Sequence, residues 1–313
     1  MINDFYVFPD VAKKTSAHLS KQLKAGHFDS FTTLESFASE LTKEVQSINK
    51  DKHMLIRKIY RAAEKENTVE SMFVEHIDRM RYRRNNAAGF KEAKKLNDNI
   101  GYIDIRSFPR PDVGKAYADS YMKLLSTSDA IIVDLRNNGG GSPGMVQYLC
   151  SYFFDEKIHL NSLYFREGDR TEEYWTVDVK GEKMPEIPLF VLTSDQTFSG
   201  AEEFSYNMQT QKRATLVGQI TRGGANPGGL RWINDKLEVF IPTGKAINPI
   251  TKTNWEGVGV VPDVETTFKE AYVKAYELAK IAAKELDGNA RAEAMKQAKI
   301  AKGKAIRKAK EMN

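Results

Sequence analysis

Four stretches of this 313-residue chain carry groups suited to nucleophilic catalysis. A nucleophilic serine needs a base for its proton, a group that orients the base, and donors for the oxyanion that forms on attack. Ser199 lies in TSDQTFSGAEE (193–203), where a strand-like run gives way to a helix-like one. A hydroxyl at a helix start sits at the positive end of the dipole, which favours a tetrahedral oxyanion. Read locally, Ser199 is more simply an N-cap, with Glu202 completing a Ser-x-x-Glu capping box. Ser194 is a competing nucleophile, or a turn residue. His53, in NKDKHMLI (49–56), is a candidate base between a helix and a strand-like run, although a lone histidine is more often packing or surface. Glu256, in NWEGVGVVPD (254–263), either orients a base or caps a turn. In DLRNNGGGSPG (134–144), glycines after a buried strand and before a helix turn backbone N–H groups towards an anion. That loop lacks both the GxGxxG spacing and the lysine of a phosphate-binding loop. Spacing alone leaves Ser199, His53, Glu256 and Gly139–Gly141 as one constellation among several.

Composition narrows the alternatives. Apolar residues make up 41% of the chain, enough for a real core, and no apolar run reaches membrane-spanning length. The net charge of +5 is concentrated at one end: from Thr266 onward there are 12 Lys/Arg against 6 Asp/Glu. A basic end of this kind reads as a solvated helical face, and no zinc-finger, RNA-binding or Walker signature accompanies it. No nucleic-acid partner is expected. Cys150 is the single cysteine, so it reads as a small buried hydrophobe rather than part of a disulfide or metal site. The five histidines lack HExxH spacing, and neither metal nor organic cofactor is expected. The compartment stays open: exported if a signal peptide has been removed, cytoplasmic if Met1 is the native start. Oligomeric state is not legible.

The elements that must position these residues follow from periodicity. Residues 1–60 read as a helical subdomain, with helices over Asp10–Leu23 and Thr33–Val45. Residues 61–98 form a charged connecting segment. Across 99–265, strand-like runs at 100–105, 130–135, 188–193, 214–218 and 236–242 alternate with helix-like runs at 116–125, 145–154 and 201–211. That alternation predicts an α/β layered core. Residues 266–313 predict a basic helical tail broken at Gly288.

Five stretches in order give these residues a family likeness: NIGYIDIRSF (99–108), DLRNNGGG (134–141), LTSDQTFSGAEEF (192–204), LVGQITRGGANPG (216–228) and NPITKTNWEGVGVVPD (248–263). They resemble the tail-specific or C-terminal processing serine peptidases. The branch they are most similar to contains the tricorn protease core and the repeats of interphotoreceptor retinoid-binding protein. FYVFP (5–9) and DKH (51–53) fit its N-terminal part. The resemblance implies a ClpP/crotonase-like core and a serine endopeptidase acting on proteins or peptides. It implies Ser199 as nucleophile, His53 as base, Glu256 completing the site, and oxyanion donors from Gly200 and the Gly139/Gly140 turn. Phe198 and Tyr206 are candidates for the substrate pocket. An acid limb near pH 6–7 follows for an ordinary histidine base. Many relatives use a lysine base where this chain has Gly224, and the tricorn-like tetrad has a serine where this chain has Lys52. Only about 45 residues separate His53 from Asn99, too few for the PDZ domain that many relatives insert. The resemblance also carries an alternative, a non-catalytic module that binds retinoid- or fatty-acid-type ligands on the same scaffold.

Overall fold

A computed structural model describes residues 1–59 and 69–311. The N-terminal part holds α1 (Ile2–Phe5), α2 (Pro9–Lys24), α3 (Leu34–Asn49) and the short strand β1 (Ile56–Lys58). Next come α4 (Val69–Asn85), β2 (Phe90–Lys95), β3 (Ile100–Ile105), α5 (Pro111–Leu125), β4 (Ala130–Asp134) and α6 (Pro143–Cys150). The hairpin β5 (His159–Phe165) and β6 (Arg170–Trp175) leads to β7 (Leu189–Thr193), α7 (Gly200–Thr210) and β8 (Thr215–Gly218). The remainder is β9 (Gly228–Trp232), β10 (Leu237–Pro242), β11 (Gly244–Ile247), β12 (Val264–Glu265) and α8 (Glu270–Glu311).

The central sheet runs β12-β8-β7-β4-β3-β2, parallel except for the antiparallel edge strand β2. Its inner strands are continuous apolar runs because both faces are covered. Period-two alternation divides each strand between two cores. Ile103, Ile131, Val133 and Val191 face α5, α6 and α7, whereas Ile100, Ala130, Ile132 and Leu192 face α8. The core sheet therefore begins at Phe90, earlier than the sequence boundary at residue 99.

The C-terminal stretch is more than a solvated tail. Ala271, Ala275, Ala279 and Ala283, spaced by four, form a small-residue stripe buried on the sheet. Helix α8 also continues through Gly288, where a break was expected. An isolated glycine costs about 1 kcal/mol in a helix, too little to stop one flanked by Ala, Lys and Glu. Of the connecting segment, residues 61–68 lie outside the described residues. Among those described, no helix is long and apolar enough to cross a membrane.

A third core joins the N-terminal helices to the rest. Tyr6, Ala12, Ala38, Val45, Met54 and Ile56 pack with Leu237, Val239 and Ile241 of β10. Strand β1 pairs antiparallel with β10 in the register Ile56 to Val239, which fixes where the residues just before β1 are delivered.

Candidate active site

The loop between β7 and α7 is built from its own hydroxyls. Ser194 is wholly buried; its Oγ donates to the Arg136 carbonyl at 2.5 Å and accepts from the Gln196 amide at 3.0 Å. Thr197 Oγ1 donates to the Leu135 carbonyl at 2.8 Å, and the Phe198 amide donates to the Asn138 carbonyl at 3.0 Å. Ser194 is thus committed to structure, and the rival nucleophile is set aside. Ser199 follows as the N-cap of α7 with φ 55° and ψ −122°. An ordinary N-cap adopts extended angles. A non-glycine residue held at such angles signals strain stored by the surroundings, and such residues cluster at functional sites.

Glu202 supplies that restraint. Wholly buried, its carboxylate accepts from the Ser199 amide at 2.8 Å, Thr221 Oγ1 at 2.5 Å, the Gly223 amide at 2.5 Å and the Gly224 amide at 2.8 Å. The capping-box partner of the sequence reading therefore ties the serine to the loop after β8 as well. Burial pushes the Glu202 carboxyl above the ordinary range, and these four donors offset only part of that rise.

The glycine turn after β4 packs directly on the serine. Gly140 has φ 98°, and a Cβ there would stand 2.7 Å from Ser199 Cβ and from the Gly200 amide nitrogen. Only glycine fits both constraints. The Gly140 amide is engaged with Asn138 Oδ1 at 2.8 Å, so of the two turn donors expected, Gly139 is the one left beside Gly200. Gly200 opens α7, and its N–H belongs to the orphan set of a helix start.

His53 arrives by the β1 route. Asp51 Oδ1 accepts the His53 amide at 3.0 Å, while Asp51 Oδ2 takes Asn226 Nδ2 at 2.8 Å and the Tyr6 hydroxyl at 3.2 Å. The imidazole lies between Phe198, ring centroids 4.4 Å apart, and Phe240, 5.7 Å apart. Gly224, where lysine-dependent relatives carry their base, faces this ring. A Cβ there would lie 2.8 Å from His53 Cε1 and 2.2 Å from a Phe198 ring carbon, so the imidazole and a side chain at 224 exclude each other. Lys52, in the place of the tetrad serine, donates its amine to the Arg222 carbonyl at 2.5 Å.

His53, Ser199, Gly139, Gly200 and Phe198 line one cavity of about 380 Å³, with Trp255, Leu163 and Ala246 opposite. Tyr206 corrects an expectation: it is not among the lining residues. Its ring packs 5.4 Å from Trp255, which does line the cavity, and its hydroxyl donates to Thr251. Glu256 lies beside His53. One of its oxygens, one of Asp51 and a His53 ring nitrogen fall within 4.8 Å of one another. Glu256 Oε2 accepts the Ala225 amide at 2.6 Å. Glu256 Oε1 and His53 Nδ1 are both buried and without a hydrogen-bond partner.

Burial, then the Arg222 charge, push His53 down to about 4, below the limb expected of an ordinary histidine. The imidazole is neutral at pH 7 and free to accept a proton. Burial, then the neighbouring Asp51 charge, push Glu256 up, and burial pushes Asp51 up.

A layered α/β fold with a strained serine at a helix start, lining one cavity with an imidazole and a glycine turn, has the construction of a serine hydrolase. Residues 99–266 match the model of peptidase family S41, and the chain belongs to that family. Residues 1–84 match the N-terminal domain of S41 peptidases in eukaryotic IRBP. The carboxyl-terminal-processing protease of Synechocystis sp. is 28% identical over 177 residues, covering 55% of this chain and 40% of its own. The chloroplastic carboxyl-terminal-processing peptidase 3 of Arabidopsis thaliana is 28% identical over 202 residues, covering 58% of this chain and 38% of its own. The chain thus spans about two fifths of the length of these curated relatives. Among solved structures, a lipoprotein from Streptococcus agalactiae superposes with TM-score 0.56 at 16% identity, over 88% of this chain and 91% of its own. The tricorn protease superposes with TM-score 0.53 at 14% identity, over 91% of this chain and 36% of its own. These two likenesses concern the fold.

Glu202 was legible only as a cap. Asn138, Asn226 and Phe240 went unread because each acts through a partner distant in sequence.

Proposed function

We propose that the chain is a serine endopeptidase that hydrolyses peptide bonds through an acyl-enzyme on Ser199. The observation that carries this reading is the strained backbone of Ser199 in one cavity with the neutral imidazole of His53. His53 takes the hydroxyl proton as Oγ bonds to the scissile carbonyl carbon. The carbonyl π pair moves onto oxygen, where the Gly200 and Gly139 amides receive it. His53 then protonates the leaving amine as the C–N bond breaks, and water releases the acid by the same steps. Glu256 acts on His53 by orienting the ring once Nδ1 finds Oε1. Catalytic hydrogen bonds that are loose in an unliganded site tighten with substrate.

A fluorophosphonate probe and an unfolded protein substrate test this. The expected result is labelling at Ser199, and at least a thousandfold loss of hydrolysis in Ser199→Ala, the order known for removal of a triad member. Because the folded-state value of His53 is lowered, activity should persist below pH 6, with the acid limb of kcat/KM moving towards about 4. No labelling, with tight binding of a fatty acid, would favour the ligand-carrier reading. Full hydrolysis by Ser199→Ala would end the mechanism.

A further inference from the structure

Glu203 lies one helical turn beyond Ser199, and its amide donates to the Ser199 carbonyl at 2.9 Å. Residues four apart share a helix face, and Glu203 lines the same cavity as Ser199, with Leu163, Ala246 and Trp255. The side chain is buried, 5% exposed. Among the described residues its carboxyl accepts one hydrogen bond, from Asn161 Nδ2 at 3.2 Å. Asn161 is itself wholly buried, and its Oδ1 has no partner. Glu203 also lacks a cation: no charged neighbour offsets its desolvation. The other buried acids near the cleft are better provided for. Glu202 has four donors, and Asp51 Oδ2 alone has two. A buried carboxyl with so little compensation is costly unless something entering the cavity supplies the rest.

We propose that Glu203 makes this cavity a subsite for a basic side chain, lysine or arginine, on the residue whose carbonyl Ser199 attacks. This rests on the peptidase reading and names its substrate class. The walls of Leu163, Ala246, Trp255 and Pro143 suit a methylene stem, while the charged head needs a polar end. One helical turn rises about 5.4 Å, a distance the four-carbon stem of lysine covers from a carbonyl held at Ser199.

Burial pushes Glu203 up to about 7, against the Asn161 hydrogen bond. The titratable groups facing it are His53 across the cavity, Cys150 on α6 and Tyr174 on β6. Burial holds His53 down to about 4 and pushes both the thiol and the phenol up, so all three stay neutral between pH 5.5 and 8.5. Within that window Glu203 changes charge while these three do not; Glu256, pushed up to about 8 beside His53, ionises towards the upper end, and Glu203→Gln separates the two. Preference for a cation therefore grows as pH rises through about 7 and fades below it.

The test compares two peptide substrates that differ only in lysine or norleucine at this position, which share a stem and differ by the ammonium. On the wild-type chain, lysine should be favoured in kcat/KM by tenfold or more at pH 8.5, with near parity at pH 5.5. Glu203→Gln should bring the ratio near one at both. If Glu203→Gln fails to fold, the pH dependence of the ratio in Glu256→Gln decides, since that variant removes the other acid that titrates in this window. Affinities of both peptides for Ser199→Ala, read by fluorescence anisotropy, give the preference without turnover. Hydrolysis with norleucine equal or better at every pH overturns the subsite and spares the peptidase. A lysine preference in binding without hydrolysis by the wild-type chain supports the subsite and sinks the peptidase.

Discussion

Around the Ser199 backbone, Glu202, Ser194 and Thr197 all have hydrogen-bond partners; around His53, three buried atoms, His53 Nδ1, Glu256 Oε1 and Asn226 Oδ1, have none among the described residues. Ser199, the proposed nucleophile, is restrained by Glu202, by the hydroxyls of Ser194 and Thr197, and by a closely packed glycine turn. His53, the proposed base, is restrained mainly by its backbone and by the faces of Phe198 and Phe240. One half is preorganised for a charge that develops at a fixed place. The other keeps freedom for an imidazole that must accept a proton from one atom and return it to another. Donors fixed in advance cost no reorganisation during reaction, whereas a general acid–base must reach two positions.

If this asymmetry is real, the largest loss should come from disturbing the glycine turn. In Gly140→Ala the new Cβ meets Ser199 Cβ and the Gly200 amide at 2.7 Å, and the backbone must hold φ 98° with a side chain. Both push the serine and an oxyanion donor out of place. Removing one such donor costs roughly 10²–10³ in kcat, and at least that loss is expected. Fluorophosphonate labelling rates, with circular dichroism to confirm folding, measure it. Labelling at the wild-type rate would show that the turn is not what holds the nucleophile.

Glu202→Gln should rank second. The carboxylate accepts two hydrogen bonds at each oxygen. In either orientation a carboxamide turns its NH2 towards two donors, leaving them buried and unpaired. Each lost hydrogen bond of this kind costs about 1–3 kcal/mol, so the unfolding free energy from denaturant titration should fall by about 2–6 kcal/mol in total. Activity should fall with them, because the Ser199 and Gly224 amides share one oxygen.

These two halves also differ in how far they could be read from sequence. Strands β3, β4, β7 and β8 are apolar runs with both faces buried, a pattern visible in any window. Strands β6 and β9 are largely exposed and alternate weakly, so nothing local announces them. The Ala271–Ala283 stripe hides in a region whose charge suggests solvent on all sides. The nucleophile follows the same logic, since Ser199, Glu202 and the Gly139–Gly141 turn lie at strand-to-helix junctions that composition marks. The base does not. Bringing His53 to Glu256 requires β1 to pair with β10, a contact about 180 residues apart that no periodicity encodes. Glu203 was missed for a related reason: an acid in the first turn of a helix looks like dipole compensation until the fold shows which face it occupies.

The smallest expected effect tests the base half directly. Burial and Asp51 push Glu256 up, with Glu202 adding to the shift, so at neutral pH its carboxyl favours the protonated form. Glutamine has the shape of that neutral acid. In Glu256→Gln, kcat near pH 6.5 should therefore stay within a few-fold of the wild type, since no charge is removed there. As pH rises, the wild-type carboxyl ionises next to the imidazole and stabilises the positive charge that His53 acquires in the transition state. The variant cannot follow. The two profiles should separate towards pH 9 by about tenfold, equivalent to 1.4 kcal/mol of transition-state stabilisation. A variant inactive at every pH would mean that Glu256 orients His53 as a carboxylate throughout, and the base would then be as tightly specified as the serine it serves. Parity at every pH would assign the orienting role to Asp51, whose oxygen lies in the same 4.8 Å cluster.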